Sequence, residues 1–243
     1  MSGADGAAGG GPGPVVLVLG AVGGCGTTLV AGGIGLAWAR SGRSACLVEL
    51  DVERGDLAGD WGLPSDRTLA DLAPVAGELA AGHLSQVAYP HETGLSVLLG
   101  PGRPGAGAPW SEWAGRLLAV AAADRAVVAD GGSGLVGAGA AAVGAARAIL
   151  VACPASVAGA RRARRLGEHL EQLGAGRLAR VAVRRGPRDE LSPRAVGRAA
   201  GMEVAADLPW SDAEGEAISA GRWPEGRRRR LAAALAALAE VVA

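Results

Sequence analysis

Short apolar runs alternate along the chain with longer stretches whose apolar positions recur every three or four residues. The runs Val15–Gly20 (VVLVLG), Ala45–Leu50 (ACLVEL), Gly94–Gly100 (GLSVLLG), Ala126–Asp130 (AVVAD), Arg147–Cys153 (RAILVAC), Leu178–Val183 and Glu203–Leu208 predict strands. Helices are expected from Thr27 to Gly42, over Leu69–Leu84, over Trp110–Ala123 with Trp113, Leu117 and Val120 on one face, and over Ala155–Leu173. A terminal helix spans 227–243, where Leu231, Leu235, Leu238 and Val242 form one narrow stripe. Strands that are apolar on both faces and joined by helices predict an α/β fold: a mainly parallel sheet of about seven strands with helices on both faces. Gly32, Gly33 and Gly35 weaken the first helix on its own and predict close packing against the sheet.

At 243 residues the chain can bury a full core as one domain, expected over 15–243. Residues 1–14 (MSGADGAAGGGPGP) hold too little apolar surface to offset the entropy of ordering, and a disordered tail is expected there. Hydrophobic residues make up 49% of the chain but Phe is absent, so the core must be built of Leu, Val and Ala. Lys+Arg 24 balances Asp+Glu 24, and the chain has no net field to steer it to nucleic acid or an anionic membrane. Arginines nevertheless cluster at 161–165, 184–188 and 227–230. The clusters read either as solvated helix faces or as docking surfaces, for a partner or for nonspecific DNA. The terminal stripe reads as the face that docks on the domain, with a membrane-surface or partner-binding helix as its rival. Cys25, Cys46 and Cys153 lack metal-site spacing and read as reduced thiols; with no spanning segment or signal peptide evident, a cytoplasmic protein is expected.

In a parallel sheet covered on both sides, the functional crevice lies beyond the carboxyl ends of the strands. Gly20-Ala21-Val22-Gly23-Gly24-Cys25-Gly26-Thr27-Thr28 follows the first strand and opens the first helix. Glycines there let consecutive backbone N–H groups converge on an anion at a helix N-terminus, and a Thr pair stands where a nucleotidase uses a hydroxyl to hold Mg²⁺. The same glycines could instead serve only close helix-sheet contact. Asp51 and Asp130 each follow a strand and point to the same crevice; two such acids beside a triphosphate need Mg²⁺ between them, or are ordinary polar residues at strand ends.

These motifs resemble the ParA/MinD superfamily of deviant P-loop ATPases, and within it the CpaE-like, septum-site-determining branch. The family loop reads lysine, two glycines, any residue, glycine, lysine and two hydroxyl residues. Here Val22 stands at the first lysine, Gly23, Gly24 and Gly26 match, Cys25 takes the variable place, Thr27 replaces the second lysine, Thr28 matches the magnesium-binding hydroxyl, and Leu29 replaces the last one. The resemblance places Asp51 at the water-orienting switch I aspartate, Glu49 at another family aspartate, and Asp130 at the Walker B position. It places Arg184 and Arg185 where the end of a strand contributes to the base pocket, and DLPWSDAEGEAISAGRWP at the proline loop with its following helix.

What the resemblance implies is a three-layer P-loop NTPase fold whose cofactors are ATP and Mg²⁺. Gly23, Gly24, Cys25, Gly26, Thr27, Thr28, Arg184 and Arg185 would contact the nucleotide, Thr28 and Asp130 the metal, and Asp51 the attacking water. Without either loop lysine, weak or no ATP hydrolysis is expected, because phosphoryl transfer is catalysed largely by positioned positive charge. The implied protein is cytoplasmic, or peripheral at a membrane-associated assembly. It forms a nucleotide-dependent homodimer and organises a pilus or secretion ATPase system or division proteins. Two other readings stand beside this one: a scaffold that binds no nucleotide, and a chromosome-partitioning type of protein with nonspecific DNA binding.

Overall fold

A computed structural model describes residues 11–52, 54–102, 112–226 and 229–243. The strands are β1 (Val15–Gly20), β2 (Ala45–Glu49), β3 (Tyr89–Pro90), β4 (Ser96–Leu98), β5 (Ala126–Ser133), β6 (Ala148–Pro154), β7 (Ala179–Arg184) and β8 (Glu203–Leu208). The helices are α1 (Thr27–Arg40), α2 (Leu57–Trp61), α3 (Ala81–Val87), α4 (Ala114–Ala121), α5 (Gly137–Ala142), α6 (Val157–Gln172), α7 (Pro193–Ala200), α8 (Asp212–Ser219) and α9 (Arg230–Val241). The sheet order is β3-β4-β2-β5-β1-β6-β7-β8, and every pairing is parallel except β3 with β4. The expected architecture is therefore present, with eight strands rather than seven. The added strand is the two-residue Tyr89–Pro90, whose edge position tolerates a proline and which carries no apolar run.

All six residues of β1 are buried, because successive side chains feed opposite layers. Leu17 and Leu19 join the layer of α4, α5, α6 and α7, while Val16 and Val18 join that of α1 and α9. In α1, a Cβ on Gly33 would come within 2.7 Å of Leu235 Cδ1 in α9, so the glycine sets how near the two helices lie. The α9 stripe of Leu231, Leu235, Leu238 and Val242 is buried on the domain, as the docking reading expects. Trp38 of α1 ties that contact by donating its indole N–H to the Ala239 carbonyl at 3.0 Å.

Several elements differ from expectation for local reasons. The stretch expected as one helix over Leu69–Leu84 is a 3₁₀ turn at Leu69–Glu78 containing Pro74, followed by α3, because proline removes an N–H from the helical ladder. The strand expected to stop at Asp130 runs to Ser133, with a register shift against β1 between Val18 and Gly20. Helices α2, α5 and α7 have no counterpart among the expected elements. Residues 1–10 of the expected tail, Trp110 and Ser111 of the expected fourth-strand-preceding helix, and Arg227 and Arg228 lie outside the described residues. Gly13 and Pro14 are anchored: Gly13 N–H donates to Ala122 and the Pro14 carbonyl accepts from Val127. No helix among the described residues is long and apolar enough to cross a membrane.

Candidate functional site

The loop between β1 and α1 lies beyond the carboxyl edge of the sheet. Gly24 and Gly26 have φ of 72° and 89°, so the chain enters α1 through a left-handed Gly26 that no side chain caps. The N–H groups of the first helical turn are consequently free of an internal partner and face outward with the positive end of the helix dipole. Gly23, Gly24, Gly26, Thr27, Thr28, Asp51, Arg54, Gly132 and Ser133 line one cleft of about 340 Å³. A larger neighbouring cleft of about 840 Å³ is lined by Asp56, Asp66 and Asp71, whose negative charge disfavours a phosphate.

Thr28 Oγ1 donates to Asp130 Oδ2 at 2.6 Å, across 102 positions of sequence, and Gly132 N–H donates to Asp130 Oδ1 at 3.1 Å. Burial pushes the Asp130 carboxyl up to about 6; the two donors pull against that shift and the charge of Asp51 adds to it. Asp51 stands against Gly132 so closely that a Cβ there would collide with its carboxylate, and Gly132 has φ of 68°. Strand β5 thus brings Gly132 and Ser133 to the cleft and holds its buried acid directly behind the lining residue Thr28. Arg54 Nε lies 3.6 Å from Asp51 Oδ1, and Arg54 Nη2 donates to the Ser133 carbonyl at 3.3 Å, joining the segment after β2 to the end of β5.

Glu49 is buried and makes no ion pair among the described residues. Its Oε1 accepts from Leu57 N–H at 2.8 Å and its Oε2 from Gly100 N–H at 2.9 Å. Burial raises this carboxyl to about 7 against those two donors. It holds the segment bearing Asp51 and Arg54 to the end of β4.

Arg184 ends β7 beside Pro154 of β6 and lies on the loop: a Cβ at Gly26 would be 3.0 Å from Arg184 Nε. Its Nη1 is shut off from solvent without a hydrogen-bond partner, and burial lowers the guanidinium pKa. Arg185 takes the opposite direction, in ion pairs with Asp189 and, at 3.5 Å, Asp207. The structure thus brings Gly23–Thr28, Asp51, Asp130 and Arg184 together and leaves Arg185 outside. Cys25 is buried, and its Sγ lies 3.6 Å from Thr27 Oγ1. Arg54 and Ser133 are among the cleft residues that the sequence analysis does not name; for Arg54 its spacing of three from Asp51 was the available signal.

Most of the chain has counterparts among solved structures. A ParA family ATPase from Chlorobium tepidum superposes with a TM-score of 0.79 at 16% identity, over 94% of this chain and 98% of that one. The fold is that of the ParA and MinD ATPases. The cell division ATPase MinD of Pyrococcus furiosus (TM-score 0.77, 20% identity, 94% of this chain and 97% of that one) shares this ParA/MinD fold. So does the septum site-determining protein MinD of Pyrococcus horikoshii, solved with Mg-ADP (TM-score 0.76, 20% identity, 94% and 95%). No family model and no curated protein matches the sequence.

Proposed function

We propose that the chain is a nucleotide-responsive protein of the ParA/MinD type that organises an assembly by binding partners, with little or no turnover of ATP. The observation that carries this reading is the convergence on one cleft of an uncapped glycine loop, the Thr28–Asp130 pair and Asp51. The donor set suits Mg-nucleotide in kind: backbone N–H groups for phosphate, and a hydroxyl with two carboxylates for a hard cation. Among the described residues no three His, Cys, Asp or Glu side chains gather to hold a metal by themselves, so the ion would arrive with the phosphates. The orphaned Arg184 Nη1 beside the loop adds an unmatched positive charge, which also favours an anion.

In this reading the amides of Gly23 to Thr28 receive the phosphates, Thr28 and Asp130 hold Mg²⁺, and Asp51 orients water. Bound Mg²⁺ would neutralise the charge that otherwise sets Asp51 and Asp130 against each other. Val22 and Thr27 supply no cation to a transition state, which is why turnover is low. Movement of the segments after Asp51 and Asp130, joined through Arg54, would carry nucleotide state to a partner. The partners suited to this role are a second copy of the chain and, for the CpaE-like branch, a pilus or secretion ATPase system or division-site proteins, in a cytoplasmic setting. Exposed Val136, Val157 and Trp210 follow β5, β6 and β8 on the side of the loop and offer apolar contact surface for the homodimer.

Equilibrium binding of Mg-ATP and Mg-ADP by calorimetry, with phosphate release measured in parallel, tests the proposal. Binding with negligible release is expected. No binding at millimolar nucleotide overturns it in favour of a scaffold, and rapid turnover overturns the low-activity part.

A further inference from the structure

The loop lacks both lysines, yet the cleft region is not without cations. Arg54 lines it, but this side chain is 55% exposed, shares its charge with Asp51 and donates to the Ser133 carbonyl. Arg184 differs on each count. It comes from the far half of the sheet, where parallel pairing of β7 with β6 places it level with Pro154, with β6 as the one strand between it and β1, whose loop it reaches. Its guanidinium packs on Gly26, the left-handed residue whose missing Cβ leaves the space. It has no ion pair among the described residues, and its Nη1 has neither solvent nor an acceptor. Asp189 and Asp207 lie nearby in sequence or across the strand pair, but both are taken by Arg185.

Burying a guanidinium N–H without an acceptor is costly, and a charged donor left unmatched more so. An anion on the adjacent helix N-terminus would relieve that cost and receive a fork of donors suited to a phosphoryl group. We propose that Arg184, delivered from the end of β7 onto Gly26, is the binding cation of this phosphate loop in place of the loop lysines, and that its ligand is a phosphoanhydride. The inference rests on the nucleotide reading of the cleft but specifies which residue recognises the anion. A nucleotide and inorganic pyrophosphate both supply this phosphoanhydride, the group that Arg184 would contact.

Calorimetric titration of the full chain with pyrophosphate, Mg-ADP and Mg-ATP is the test, using wild type, Arg184→Met, Arg184→Lys and the remote control Arg180→Met. Loss of one charged contact predicts affinity for the phosphoanhydride lower by about 10- to 100-fold in Arg184→Met, with partial recovery in Arg184→Lys and no change in Arg180→Met. Thermal unfolding separates binding from architecture: ligand-free Arg184→Met should melt no lower than wild type while losing the ligand-induced rise. Wild-type affinity in Arg184→Met, or tighter binding because the arginine merely fills the space, overturns the inference and leaves the nucleotide reading intact. A lower melting point of ligand-free Arg184→Met, with unchanged affinity in the folded fraction, also overturns it. Pyrophosphate binding that needs Arg184, without nucleotide binding, supports it and rejects the nucleotide reading; no binding of any of the three by wild type rejects both.

Discussion

At the scale of single residues, Asp130 and Glu49 are buried acids satisfied by donors rather than by cations, and this makes stability depend on pH. Burial is the largest cause in both, lifting Asp130 from 3.8 to about 6 and Glu49 from 4.5 to about 7. The folded state therefore retains protons that the unfolded chain has released. Each contribution is complete below the unfolded value and is lost as pH rises through the folded one. The melting temperature of the ligand-free protein is expected to fall between about pH 4 and about pH 7, and Glu49→Gln to flatten the upper part of that fall, as read by scanning calorimetry across pH. Thr28→Val should destabilise the protein by about 1–3 kcal/mol in urea titration, because Asp130 then loses a buried donor. It should also weaken the Mg²⁺ dependence of nucleotide binding. Both residues of this pair were legible as candidates, since each follows a strand at the edge where crevices form. That they bond directly was not, because the contact joins segments 102 positions apart.

At the scale of elements, the glycines of α1 and the stripe of α9 form one contact. Gly33→Ala forces Leu235 aside and should cost about 1–3 kcal/mol, while Leu235→Ala leaves a cavity worth about 2–5 kcal/mol. Since the new methyl enters the space the leucine vacates, the double variant should be less destabilised than the sum of the single ones, measured by denaturant titration as a double-mutant cycle. The sequence pattern pointed to both partners separately: glycines too frequent for a free helix, and a leucine stripe that reads as a face docked on the domain. Helices α5 and α7 gave weaker signals. Alanine and glycine leave the GAGAAA of α5 without a readable period, and α7 is short, although Ser192 accepts from Ala195 N–H and Pro193 occupies the first turn.

At the scale of the whole molecule, the glycine loop and the exposed side chains Val136, Val157 and Trp210 lie toward one edge of the sheet. A monomer without nucleotide and a dimer with Mg-ATP are expected by light scattering after size exclusion. Trp210→Asp should reduce dimer formation with little effect on the melting temperature, because this side chain is already 51% exposed in the monomer. The sequence alone determined the layered α/β architecture, since buried strand runs and intervening helical periods are local properties that leave a covered parallel sheet as the arrangement that buries them. It also determined that the glycine loop, Thr28, Asp51 and Asp130 lie at the same sheet edge. Tertiary structure decided which charges meet there: Arg184 on Gly26 while its neighbour Arg185 turns to Asp189 and Asp207, Arg54 between Asp51 and Ser133, and Glu49 holding Leu57 and Gly100. Such choices depend on strand order, register and the room left by a missing Cβ, quantities created only when distant segments pack.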